Sequence, residues 1–300
     1  MNKTLQKHAK PSTILLITLT GLTILAASLF VWYQRIYTDP ERVFWGSIEN
    51  NLSTSSVTRV TNANQNGQTI RQTQDIDFIG ELSVQNKVLI EGGGQKVEVE
   101  TRGFKDVDYI QYSAIELPDT AAQELAADAI GRWAKTERSD VNPDDPDTLF
   151  TPQPELVDEA LLSSFLLFGN LPADKRGPLV DQLRQAYDVG FESVVEVDID
   201  GNTAYEYNVT IDVSKYAEAL ATYLRIYDKS DLADTVVSQI EPGTSVSTVI
   251  TIDKKSRNLV KTSTTGSVGE ETYTAHGVSR QLEKLDTDLT NEELQVLLRE

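Results

Sequence analysis

The sequence predicts an α+β protein in which one curved antiparallel sheet carries helices over it and a single transmembrane helix precedes it. Residues 11–34 contain no charged side chain. Alternating polar and apolar residues occur in two groups, at 56–117 and 191–278, and helical periodicity fills the interval between them. This order favours a single sheet over a series of βαβ units.

The N-terminal segment predicts a membrane anchor. As a helix, residues 11–34 would reach about 36 Å, which exceeds the roughly 30 Å of a hydrocarbon core. Lys3, Lys7 and Lys10 precede this segment and predict a cytoplasmic basic tail over residues 1–10. A cleaved signal peptide is the alternative, but apolar residues continue past the small-residue site and favour an uncleaved signal anchor. We therefore expect a single-pass protein of the cell membrane with an extracytoplasmic domain over residues 36–300.

Composition excludes several classes of function. The chain has 46 acidic against 27 basic residues and a formal net charge of −19, so nucleic acid is not expected as a partner. There is no cysteine, and His8 and His276 are the two histidines. Thiol catalysis and Cys-ligated zinc are therefore excluded. We expect no cofactor, no metal, no catalytic residue and hence no enzyme.

The first part of the domain predicts a helix followed by five strands. Asp39 and Pro40 are typical of a helix start, and apolar residues then recur at helical spacing over 40–51. Alternating stretches predict an antiparallel meander, with turns at 66–67 and 92–94. The expected strands are 56–64, 69–79, 82–91, 96–104 and 106–117.

The second part predicts helices and then another antiparallel section. Helical patterns cover 118–133, 155–168 and 179–189, and a loop rich in Asp and Pro covers 139–154. A hairpin follows around Asp200 and Gly201, with strands at 191–199 and 204–213. The remaining expected elements are a helix at 216–227 that continues to 240, strands at 245–252, 259–265 and 271–278, and a terminal helix at 291–300.

This order of elements resembles a known family. A helix at 43–52 enters a Ser/Thr-rich strand, a later strand carries Tyr109 and Tyr112, and the alternating strand 205–213 runs directly into the helix at 216–227. With the closing strand 249–253, the pattern over about residues 40–285 is similar to the LolA/LppX family of exported lipoprotein and lipid carriers. The resemblance implies a half-barrel sheet whose concave face is covered by helices, with an acyl chain bound between them. Many of those carriers begin with a lipidated cysteine, which this chain lacks.

Residues 161–168 are apolar nearly all round a helix, which is typical of a cavity lining, a central core helix or an exposed contact with a partner or membrane. We expect a binding protein for a lipid-like or other apolar ligand. Alternatives are a non-catalytic scaffold or protein-interaction domain with a filled core, whose partner is unknown, and a carboxylate-based hydrolase. The candidate cavity and lid residues are Leu161, Leu162, Phe165, Leu166, Phe168, Trp133 and Tyr109.

A second candidate site is the acidic stretch 140–147, which concentrates oxygen ligands of the kind that bind calcium. Its prolines, and the absence of the glycine and glutamate that an EF-hand loop requires, favour a solvated surface loop instead. His276 is a candidate general base, but no G-x-S-x-G motif accompanies it, and a plain strand residue is the favoured interpretation.

Overall fold

The computed structural model describes residues 11–33, 37–65, 67–119, 123–124, 126–138, 153–240, 243–264 and 269–298. The predicted tail 1–10 and the acidic stretch 140–147 lie outside these residues. The fold is α+β, as predicted, and its strands form one open antiparallel sheet.

The sheet has twelve strands. The strands are β1 Ser56–Gln65, β2 Gln68–Asp77, β3 Ser83–Gly92, β4 Gln95–Gly103, β5 Val107–Glu116, β6 Trp133–Glu137, β7 Tyr187–Val189, β8 Val195–Ile199, β9 Asn202–Asp212, β10 Ser245–Asp253, β11 Leu259–Thr264 and β12 Gly269–His276. Their spatial order is β6-β5-β4-β3-β2-β1-β12-β11-β10-β9-β7, and β8 pairs with β9. Two meanders, one from each half of the chain, therefore join where β1 pairs with β12.

Seven α-helices lie in the described part of the chain. They are α1 Pro11–Trp32, α2 Pro40–Asn51, α3 Leu156–Leu162, α4 Ala173–Ala186, α5 Val213–Ile226, α6 Ser230–Gln239 and α7 Asn291–Leu297. The predicted bounds of α2 are confirmed, and the Asp39 carboxylate caps this helix by accepting the Arg42 N–H at 3.1 Å.

The predicted transmembrane helix is not supported. Within the described residues, no helix combines the length and the apolar character that crossing a bilayer requires. Residues 11–32 are helical, and the large apolar side chains from Leu22 to Trp32 that lie on this helix are exposed.

The predicted helix over 155–168 is wrong in its second half. Helix α3 ends at Leu162, and residues 163–168 are irregular. Two serine side chains take backbone partners at this point: the Ser163 hydroxyl donates to the carbonyl of Ala160 at 2.9 Å, and Ser164 Oγ accepts the Leu166 N–H at 3.0 Å. Such local side-chain bonds compete with helix continuation, which accounts for the break.

Trp133 is also placed differently from the prediction. It begins β6 instead of ending a helix, because Gly131 adopts a φ of 78° and the following residues pair with β5. In the second meander, residues 191–193 form a 3-10 turn, and the predicted strand begins only at Val195.

The two faces of the sheet are covered by different parts of the chain. The face that packs on α2 to α5, here called the helical face, carries buried residues such as Val57, Ile76, Tyr207 and Ile250. The opposite face, here called the tail face, carries Phe104, Tyr109 and Trp133 beneath Leu282 and Leu285 of the C-terminal segment. The helical face holds the main core, so a site between helices and sheet has to be sought there.

Tyrosine hydroxyls fix residues 163–168 within that core. Tyr187, Tyr216 and Tyr223 donate to the carbonyls of Phe165, Ser164 and Phe168 at 2.6, 2.8 and 2.6 Å. Burial raises the pKa of each of these tyrosines well above its usual range, so the hydroxyls remain protonated donors at neutral pH. The irregular backbone is thereby satisfied without helical hydrogen bonds.

Replacing Tyr223 tests this arrangement. We expect Tyr223→Phe to lower the free energy of unfolding by about 1–3 kcal/mol, because the buried carbonyl of Phe168 loses its donor. Urea denaturation measures the effect. Tyr112→Phe is the control, since no bond to its hydroxyl occurs within the described residues, and it should change stability by less than about 0.5 kcal/mol. Equal effects of the two substitutions would contradict the role given to Tyr223.

Candidate functional site

The space predicted to hold a ligand, between residues 161–168 and the sheet, is filled. Leu161, Leu166 and Phe168 are buried in the main core, and Phe168 stacks on Tyr273 with ring centroids 5.3 Å apart. The void left between this segment and the sheet measures about 20 Å³, which holds about one water molecule. Phe165 is partly buried against Tyr216. Leu162 is 38% exposed.

Trp133 and Tyr109 lie on the other side of the sheet. Tyr109 packs on Phe104 with centroids 6.0 Å apart, and the Arg102 guanidinium lies 4.8 Å from the Trp133 ring. Both aromatic residues belong to the cluster beneath the C-terminal segment. The seven candidate residues therefore do not form one site.

A different apolar surface lies on the helical face of the first meander, and we call it the apolar strip. It consists of Ile70, Val88, Ile90, Val97 and Val99, which the strand register aligns in two rows across β2, β3 and β4. These side chains are partly buried and belong to none of the core clusters of the described residues. The strip is therefore apolar surface that the helices do not pack.

The strip is bounded on one side by β5 and α7. Register places Val99 opposite Tyr112, and Tyr112 packs against a cluster that includes Leu294 of α7. The C-terminal segment reaches this position around the edge strand, where Lys135 N–H donates to the carbonyl of Leu289 at 2.9 Å. Helix α7 thus forms one wall beside the strip.

Between the strip and the packed core, the helical face carries a row of polar side chains, which we call the polar row. Arg59, Gln74, Asn86 and Thr101 are successive cross-strand partners on β1 to β4. Arg59, Gln74 and Asn86 are 7%, 2% and 7% exposed. One atom of each of the four, Nε, Oε1, Oδ1 and Oγ1 respectively, is buried without a hydrogen-bond partner in the described chain.

Such a row is unusual, because buried polar groups are nearly always hydrogen-bonded. Leaving one unpaired costs about 1–3 kcal/mol, so several in a row indicate water or a ligand that supplies partners. Sequence reasoning missed the row, because its members come from four strands and only the register aligns them. Alternation in the sequence of β4 indicates only that Val97 and Val99 share a face with Thr101.

A small pocket of about 210 Å³ lies outside residues 163–166, over the second meander. Thr248, Thr262 and Glu271 contribute to its lining. The Glu271 carboxylate accepts hydrogen bonds from the hydroxyls of Tyr273 and Thr262. This pocket is more polar than the strip.

A wider cleft of about 520 Å³ lies at the loops around Gly80, Lys105 and Lys229. Its lining is rich in charge, and Lys229 forms an ion pair with Asp158 at 2.5 Å. Because charged groups are costly to bury against hydrocarbon, this cleft does not suit an apolar ligand.

His276 lies on the tail face and does not form a catalytic triad. Its Nε2 is 2.8 Å from the Thr58 hydroxyl, and that same hydroxyl donates to Asp75. Arg280 also binds the Asp75 carboxylate, at 2.7 Å. A triad requires the imidazole to lie between the hydroxyl and the acid, whereas here the hydroxyl lies between the imidazole and the acid.

In the parts of the chain that the structure describes, no group of three His, Asp or Glu side chains lies close enough together to bind a metal ion.

Helix α3 is held over the first meander by Asp108 and Gly103. Asp108 Oδ2 accepts the N–H groups of Glu155 and Leu156 at 2.7 and 3.1 Å. A Cβ at Gly103 would lie 2.6 Å from Leu156 Cβ, so the close approach requires glycine. Burial raises the pKa of Asp108 above its usual value, although the two N–H groups oppose the shift.

The raised pKa gives a prediction for pH dependence. A raised folded-state pKa means that ionisation opposes folding, so stability falls as the pH rises from the ordinary aspartate pKa through the raised one. Asp108→Asn should therefore be at least as stable as the wild type at pH 7, with a difference that disappears in acid. Asp108→Leu should lose about 1–3 kcal/mol, because it removes the acceptor. Urea denaturation across pH checks this, and equal losses in both variants would contradict it.

Comparisons with known proteins leave the family open. No protein-family model and no curated protein matches the chain. LprF from Mycobacterium bovis aligns with a TM-score of 0.39 and 12% identity, over 82% of this chain and 96% of that chain. A porin-like protein from Bacteroides uniformis aligns with a TM-score of 0.20 and 10% identity, over 74% of this chain and 96% of that chain. TM-scores this low do not establish a shared fold, so the LolA/LppX resemblance stays a prediction.

Proposed function

We propose that this protein is a non-catalytic binding protein that holds a lipid-like or other apolar ligand against the helical face of its sheet. The ligand lies along the apolar strip in the first meander, where the half-barrel predicted from the sequence would be concave. The space beneath residues 161–168 holds core side chains and has no room for a hydrocarbon chain.

The observation that carries the proposal is the strip itself. Val88, Ile90, Val97 and Val99 form a continuous apolar surface on adjacent strands, and no helix of the described chain packs on it as α2 to α5 pack on the second meander. Ligand sites are mostly apolar with a few polar groups that fix orientation. The strip and the neighbouring polar row supply both.

We further propose that residues 11–34 attach the domain to the cell membrane through their apolar side chains and hold the bulk of the chain on its extracytoplasmic side. Support comes from exposed apolar residues such as Leu25, Phe30 and Trp32 on consecutive turns of one helix. Contiguous exposed apolar surface needs a partner of the same character.

A second candidate function is a scaffold or protein-interaction domain. The filled core beneath residues 161–168 favours it, because a scaffold needs no cavity there. Under this alternative the strip would contact a protein segment instead of a lipid.

Photolabelling tests the lipid-binding proposal. The full chain in nanodiscs is labelled with methyl palmitate that carries a diazirine, and peptide mass spectrometry locates the label. We expect labelling within residues 83–103. Val88→Glu should reduce it about tenfold, because a buried Val contributes at least about 1.5 kcal/mol and a charge adds a desolvation cost.

The control is Leu89→Glu, the next residue of β3, which faces the opposite side of the sheet. It should leave labelling within twofold of the wild type. Labelling that is absent from 83–103, or equally reduced by both variants, would overturn lipid binding and favour the scaffold.

Carbonate extraction tests the membrane tether. We expect the full chain to remain in the membrane pellet, and the double variant Leu25→Arg, Phe30→Arg to be released, since charged side chains on this apolar surface are costly to bury in hydrocarbon. Val237→Arg is the matched control, because Val237 is exposed on α6. Release of the unsubstituted chain would refute the tether.

A further inference from the structure

Arg59 is a buried arginine that has no carboxylate partner among the residues that the structure describes. Its side chain is 7% exposed on the helical face of β1. Nη1 donates to the carbonyl of Ser163 at 2.8 Å, whereas Nε has no hydrogen-bond partner among the described residues. Burying a guanidinium group costs free energy unless an opposite charge is paired with it. The need of this side chain for an anionic partner is therefore not met by a described carboxylate.

The nearest members of the polar row do not meet that need. Gln74 pairs with Arg59 in the register and Asn86 pairs with Gln74. Both side chains are neutral amides with an unpartnered oxygen. Each amide also carries N–H donors, and because its two ends are interchangeable by rotation, it can turn a donor toward an anion.

Glu271 is the closest acid on this face by register, since it lies opposite Thr61, two residues along β1 from Arg59. Its carboxylate is bound by the hydroxyls of Tyr273 and Thr262. None of the ion pairs of the described chain joins it to Arg59. The charge of Arg59 therefore remains without a direct counter-charge.

Space for an oxygen atom exists beside Arg59. The void of about 20 Å³ lies on the core side of Arg59, where core residues such as Val57 and Leu161 also line it. It admits one water-sized group, so it can take a single oxygen of an end group but not the whole group. Asn86 and Val88 are two residues apart on one face of β3, a distance of about 7 Å, so the strip begins where the polar row ends. A chain on the strip would direct its end group toward the row.

We propose that Arg59 binds the anionic end group, a carboxylate or a phosphate, of an amphiphile whose hydrocarbon chain lies on the apolar strip. Gln74 and Asn86 flank that group as hydrogen-bond partners. The inference rests on the proposed function, since it assigns the polar end of the same ligand.

Competition against the diazirine methyl palmitate label, read within residues 83–103 of the full chain in nanodiscs, tests the assignment. The competitors are palmitate, palmitoyl lysophosphatidate and unlabelled methyl palmitate. We expect at least one of the two anions to compete at about tenfold lower concentration than the neutral ester, as a charge-assisted bond to a guanidinium implies. Arg59→Met should abolish that difference, and Arg59→Lys should retain part of it.

The outcomes are separable. A preference for palmitate alone identifies a carboxylate, and a preference for lysophosphatidate alone identifies a phosphate; both support the assignment. If all three competitors are equally effective against the wild type, the assignment of Arg59 to an anionic end group is overturned. The void beside Arg59 would then hold water, and the proposal of lipid binding would be unaffected. The comparison of the three competitors on the wild-type protein tests the assignment even if Arg59→Met fails to fold. Absence of any labelling by the neutral ester overturns the proposed function itself.

Discussion

Hydrogen bonds from buried tyrosine hydroxyls to main-chain carbonyls hold the centre of this molecule together. Residues 163–168 enter the core without forming a helix, so their carbonyls lack the partners that helical backbone would supply. Tyr216 and Tyr223 reach them from α5, and Tyr187 reaches them from the end of α4. Because these bonds satisfy the backbone, Leu166 and Phe168 can pack on the sheet as ordinary core residues. Without them the segment would have to stay at the surface.

This packing divides the helical face into two unlike halves. Over the second meander, α2, α4 and α5 cover Tyr207, Ile250 and their neighbours completely. Over the first meander, helix α3 covers the strand ends near Gly103, and polar and then apolar rows continue beyond it. The proposed ligand site follows from this asymmetry. It lies on the part of the sheet that no helix covers, and the buried polar row separates it from the part that helices α2 to α5 cover.

The sequence predicted well what neighbouring residues determine. Asp39 and Pro40 start α2 through local capping geometry, and glycines at tight turns place most strand ends of the first meander within a few residues. Prediction from the sequence failed where contacts between residues far apart in the chain determine the local structure. The apolar composition of 161–168 predicts a continuous helix, but serine side chains and tyrosines from later elements stabilise an irregular path. The polar row was equally hidden, because Arg59 and Asn86 become neighbours only through the register of three strands.

The pairing of β1 with β12 has a consequence for how the chain reaches its native state. Ser56 lies opposite His276, so the seam of the sheet closes only when nearly the entire polypeptide is present. Contacts between such distant positions form slowly, because the chain loses conformational entropy when the long loop closes, before the new contacts stabilise it. Until β12 has been synthesised, one edge of β1 therefore remains unpaired, and that edge can pair with strands of other chains. This topology therefore leaves the unfinished chain prone to aggregation until β12 has been synthesised.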